Sequence, residues 1–100
     1  MRPTVSQDVQ ITGDAGQVDQ DSVRISRDTD EVTWTAHGAH KAIVVFASPD
    51  GSPFHDAVFQ VPANGSVSSG PVKSSALNQP YKYTVVGQIG VNDPIVIIDS

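Results

Sequence analysis

The chain has 100 residues, 38% hydrophobic and 17% charged, with a formal net charge of −5, so it has enough apolar material for one packed core and too few clustered cations for nucleic acid or an anionic membrane. It contains no cysteine, which removes disulfides, thiolate metal sites, iron–sulfur clusters and cysteine nucleophiles together. No apolar run reaches the roughly 18 residues of a membrane-spanning helix, and none forms the apolar centre of a signal peptide.

Strand signals follow one another along the whole chain, separated by turn residues. In "TVSQDVQIT" (4–12), Val5, Val9 and Ile11 share one face with Gln7, which predicts a half-buried strand. After the polar stretch "GDAGQVDQD" (13–21), "SVRIS" (22–26) points Val23 and Ile25 one way and Arg24 the other. The turn "RDTD" (27–30) leads into "EVTWT" (31–35), where Val32 and Trp34 face inward, and then into a loop holding His37 and His40. "AIVVFA" (42–47) is continuously apolar, too short for a helix and rich in β-branched residues, so it predicts a central strand covered on both faces.

"SPDGSP" (48–53) turns the chain, with Asp50-Gly51 between two prolines. "FHDAVFQV" (54–61) resumes as strand and "PANGS" (62–66) ends it; Phe54 and His55, beside the turn, are expected to be exposed and available to a partner. "SVSSGPV" (66–72) carries a glycine and a proline and predicts a sheet edge guarded by Lys73, and "SSALNQP" (74–80) is expected to hold one helical turn. "YKYTVVG" (81–87) places Tyr81, Tyr83 and Val85 on one face, and "PIVIID" (94–99) is a second continuously apolar strand. Apolar residues nowhere recur at 3.6-residue spacing over three turns, so no long amphipathic helix is expected. The prediction is one all-β domain over residues 1–100, with Trp34, Phe46, Phe59, Tyr81 and Tyr83 in its core.

The order strand, polar loop, strand, turn, "VTWT", loop, "IVVF" and finally "YKYTV" resembles the cupredoxins, from about Val5 to Asp99. The resemblance implies a two-sheet Greek-key β-sandwich of roughly seven or eight strands and a periplasmic or extracellular setting. In that family a V-x-W pair leads into the loop bearing the first copper histidine, just before an apolar strand. Here "AIVVF" matches that strand and the ligand position falls on Ala42, two residues from His40. The family's second motif, Y-x-[YF]-x-C followed by a histidine and usually a methionine, meets "YKYTVVGQIGVNDP". Val85 stands where the cysteine would be, Gln88 lies in the region of the histidine, and Met1 is the only methionine. A blue-copper centre needs two histidines and a thiolate in one trigonal plane, so the resemblance implies the scaffold without type 1 copper, and no cofactor is expected.

Three histidines remain as weak candidate metal ligands: His37, His40 and His55, with Asp50 or Asp56 able to complete a site if the loops converge. The acids cluster in turns such as "RDTDE" and "VDQD", where solubilising and turn-forming roles account for them, and no G-x-S-x-G elbow or calcium-loop spacing is present. Asn64-Gly65-Ser66 fits a glycosylation acceptor and reads as a turn. No catalytic residue is expected. The functional expectation is a non-enzymatic binding or structural module with an unidentified protein partner, present as a monomer or as a homodimer through edge pairing or face packing. The alternatives are a small exported copper- or zinc-binding protein using His37, His40 and His55, and an immunoglobulin-like adhesion domain, which would share the sandwich architecture.

Overall fold

The alternation of apolar and polar side chains in the sequence becomes, in the computed structural model, eleven strands and no helix among the described residues, which are 5–12, 17–38, 40–47, 51–87 and 90–99. In chain order they are β1 (Val5–Thr12), β2 (Gln17–Val18), β3 (Ser22–Ser26), β4 (Asp30–His37), β5 (Ala42–Val45), β6 (Val58–Val61), β7 (Ser66–Ser68), β8 (Pro80–Lys82), β9 (Thr84–Val86), β10 (Val91–Asn92) and β11 (Ile95–Asp99). Their hydrogen-bonded orders are β2-β1-β4-β7, β10-β9-β5-β6 and β3-β11-β8. The count exceeds the seven or eight expected because short polar interruptions divide longer runs into separate ladders.

Two of the three ladders continue into one another. Val91↔Val86 and Asn92↔Val85 lie on one side of a break, Ile95↔Lys82 and Val96↔Tyr81 on the other, and the pairing register is unchanged across it. Within the break Tyr83 N–H donates to Pro94 O at 2.9 Å, and the Thr84 hydroxyl donates to Asp93 Oδ1 at 2.8 Å. Pro94 has no N–H to give, so the ladder loses one bond there without losing its alignment. The run "YKYTVVG" therefore pairs with β11 and then β10 along one side, while on the other side β9 pairs with β5.

Two pairings are parallel, β1 with β4 and β3 with β11, and the rest are antiparallel. Parallel neighbours cannot be joined by a two-residue hairpin, so the chain must cross from sheet to sheet between them. Residues from all three ladders meet in one core, including Val9, Val32 and Trp34, Val44 and Val85, and Val96 and Ile98. At its centre the rings of Trp34, Phe46, Phe54, Phe59 and Tyr83 stack edge to face or tilted, with centroids 5.1 to 6.3 Å apart.

The expected inward faces of β3 and β4 are buried, and so are Tyr81, Tyr83 and Val85. β7 lies at the edge of its sheet, as its small residues suggested. Phe54 does not face solvent: it is 1% exposed and joins the aromatic cluster. The reason is a local clasp. The Ser52 hydroxyl accepts from Phe54 N–H at 3.1 Å and donates to Asp56 O at 2.7 Å, while Lys73 N–H donates to Pro53 O at 2.9 Å. The loop is thereby folded inward over the end of the core, and Phe54 bridges to Val72.

The stretch 74–80 forms a hydrogen-bonded turn in place of a helical one, with Ala76 N–H donating to Lys73 O at 3.1 Å. It is held by Tyr81, whose hydroxyl accepts from Leu77 N–H at 2.9 Å, the tyrosine-corner arrangement found in β-sandwiches. Arg27 reaches the same turn, donating from Nε to Asn78 Oδ1 at 2.8 Å and from its guanidinium to Ala76 O. Tyr81→Phe keeps the ring and strands the Leu77 N–H, so a loss of about 1–2 kcal/mol is expected in a urea titration. An unchanged midpoint would show that the hydroxyl contributes nothing to the corner.

Candidate functional site

The histidines do not gather: His37 and His40 flank the loop before β5, and His55 lies beyond the other end of the β5–β6 ladder. His37 closes β4, is exposed, and meets Gln10 Oε1 through Nε2 across the β1–β4 ladder. His40 is exposed just before β5. The loop between them is anchored by the turn at 62–66: Asn64 takes a positive φ of 51°, and its Oδ1 accepts from Gly38 N–H at 3.0 Å. Gly65 O accepts from Ala36 N–H at 2.8 Å, and a side chain on Gly65 would meet Pro62 Cγ at 2.6 Å. The Asn-Gly-Ser triplet thus does the work of a turn.

His55 lies at the other end. β5 pairs antiparallel with β6, from Ala42↔Val61 to Val45↔Val58, so His40 precedes one end of this ladder and His55 precedes the other. A four-residue strand spans about 13 Å, too far for one ion to use both. Asp56 is exposed beside His55, and Asp50 lies outside the described residues. Among the described residues no three His, Cys, Asp or Glu side chains gather as a metal site would require.

The positions that the resemblance assigns to copper ligands can also be located. Ala42 is on β5 and Val85 on β9, and these strands are neighbours through Val44↔Val85. Both side chains are buried, at 3% and 0% exposure, and neither carries a donor atom. Gln88 lies outside the described residues. With apolar carbon at two ligand positions and no cysteine in the chain, the residues do not fit a type 1 copper ion.

A further buried polar group is the Tyr83 hydroxyl, which accepts from Trp34 Nε1–H at 3.3 Å. Burial pushes its pKa up from 10.0 to about 12, because a phenolate there would lose its hydration. At 1% exposure it cannot reach a substrate, and its role is in the core.

The feature that the sequence left unread is a difference between two sheet faces. On β2-β1-β4-β7 the side chains opposite the core are polar: Thr33 pairs with Asp8 on one side and Ser68 on the other, and Thr35 with Gln10 and Ser66. On the joined ladders an aliphatic cluster lies among polar positions. One cross-strand row runs Val91, Val86, Ile43, Gln60, and the next runs Val58, Val45, Thr84. Ile95 and Ile97 form a second apolar pair on β11, separated from Val91 by Asp93. Val58 and Val91 are 53% and 61% exposed, and the other aliphatic residues are half-buried. The expectation that "AIVVFA" is covered on both faces is therefore corrected: Ala42, Val44 and Phe46 enter the core, while Ile43 and Val45 lie on the outward face. The signal was present in the sequence as two uninterrupted apolar runs, which periodicity alone could not assign to one face or two.

Comparison with known proteins adds no relative: no protein-family model matches the chain, and no curated protein has a significantly similar sequence.

Proposed function

We propose that this chain is a cupredoxin-like Greek-key sandwich without a type 1 copper site, and that it works as a non-enzymatic binding module. Several features support the architecture. The unbroken register of the β8/β9 and β10/β11 runs merges two ladders into one sheet opposite β2-β1-β4-β7. The parallel pairs β1–β4 and β3–β11 require the chain to leave the sheet and return between the paired strands, as connections between the two sheets of a sandwich do. The shortest dimension of the molecule, 19 Å, suits two sheets about 10 Å apart with a layer of side chains outside each. An extracytoplasmic setting follows from the family resemblance alone.

The binding role is carried by one observation, the aliphatic outward face centred on Ile43 and Val45, set against a polar face on the other sheet. A sheet facing only water alternates apolar with polar residues, and a contiguous apolar patch on a folded domain marks a contact surface.

Metal analysis separates this reading from a small copper- or zinc-binding protein. Tag-free protein equilibrated with Cu(II) or Zn(II) and desalted is expected to retain far less than one equivalent and to show no intense visible band. Stoichiometric retention, lost in His37→Ala plus His40→Ala, would replace the binding-module reading with the metal-binding one.

A further inference from the structure

We propose that the aliphatic face of the joined ladders is a self-association surface, and that its occupant is the same face of a second copy of this chain. The inference rests on the binding-module reading and names its partner.

Charge favours this occupant. The chain carries a formal charge of −5, yet the charged side chains on this face form two closed pairs of opposite sign. Arg24 Nη1 lies 2.8 Å from Asp99 Oδ2, and Lys82 Nζ lies 3.9 Å from Asp93 Oδ2. The face is therefore neutral, and the excess negative charge sits elsewhere. An isologous interface brings each patch against its own image, so any net charge on it would repel itself. A neutral, internally paired patch escapes that repulsion. A basic partner would instead be drawn to the acidic surfaces away from this face.

Shape and size agree. The outward side chains of a twisted sheet pack on those of another sheet at about 10 Å, in the same way that the two inner faces pack. Four strands at about 4.8 Å spacing and three two-residue steps along them give a face on the order of 20 × 20 Å, or about 400 Å² per copy. Two such faces bury about 800 Å² in all, less than the roughly 1,000 Å² of a stable specific interface, so the dimer is expected to be weak and transient, with a dissociation constant on the order of 100 µM or more.

Sedimentation velocity at loading concentrations of about 5 µM and about 500 µM tests it. The expected result is a shift from monomer toward dimer that survives added salt. Val58→Lys plus Val91→Lys, both at exposed positions, should weaken the association at least tenfold, whereas Thr35→Lys on the polar face should leave it unchanged. If the double variant melts below the native protein, Ile43→Thr supplies a second, milder probe of the face centre. A native chain that stays monomeric at the higher concentration overturns the proposal, as does a dimer indifferent to these substitutions. Binding of anilinonaphthalene sulfonate to the native monomer separates the two failures. Dye bound and displaced by the double variant would keep the contact surface and reject self-pairing, and no dye binding would remove both.

Discussion

Trp34→Ala is expected to remove about half of the stability of the fold. Trp34 is fully buried, and its ring lies 5.1 Å from that of Phe59, 5.6 Å from Tyr83, 6.2 Å from Phe46 and 6.3 Å from Phe54. Four neighbours on strands and loops from different parts of the chain cannot all collapse into the space it vacates. Truncations of this size cost about 3–5 kcal/mol, and a domain of this length holds on the order of 5–10 kcal/mol in total. The variant also removes the only donor seen at the Tyr83 hydroxyl among the described residues. Trp34→Phe, which restores most of the volume, should recover part of the loss. Circular dichroism with urea titration reads both, and a Trp34→Ala penalty below about 1 kcal/mol would mean that the aromatic cluster is not the stabilising centre of this fold.

The second large effect is expected at alkaline pH. The Tyr83 pKa stands at about 12 in the folded chain against 10.0 for a free phenol, so the unfolded chain releases this proton first as pH rises. The group's contribution is complete below pH 10 and is lost between pH 10 and 12, a fall of about 3 kcal/mol at about 1.4 kcal/mol per unit. Tyr83→Phe has no such proton to lose. At neutral pH it should be less stable than the native chain by about 1–2 kcal/mol, because Trp34 Nε1–H is left without its acceptor. That deficit should shrink and then reverse as pH approaches 12. The informative quantity is the difference between the two proteins in urea midpoint at each pH, since every other effect of alkali is common to both. Parallel curves would show that Tyr83 ionises as readily in the folded state as in the unfolded one.

Much of the local structure was legible in single stretches. Val23 and Ile25, Val32 and Trp34, and Tyr81, Tyr83 and Val85 could each be assigned to an inward face because a strand's side chains alternate with period two whatever its partner. The edge character of 66–68 followed in the same way from small residues beside a glycine and a proline. Phe54 was misread for an equally physical reason. Proximity to a turn suggests exposure, but the Ser52 hydroxyl, bonded to both Phe54 N–H and Asp56 O, turns the loop inward, and nothing in the composition of that loop announces the direction.

The amino-acid sequence by itself determined the all-β class, the inward residues of most strands, and the exclusion of thiolate chemistry, since these depend on residue type and on spacing within a few positions. Tertiary structure alone decided that His40 and His55 precede opposite ends of one ladder, that the tyrosine-rich run pairs with β10 and β11 on one side while β9 meets β5 on the other, and that the second faces of the runs at 42–45 and 95–99 point outward together. Each of those outcomes depends on which distant strand lies alongside, and pairing between distant segments is settled by the packing of the whole core rather than by any local pattern.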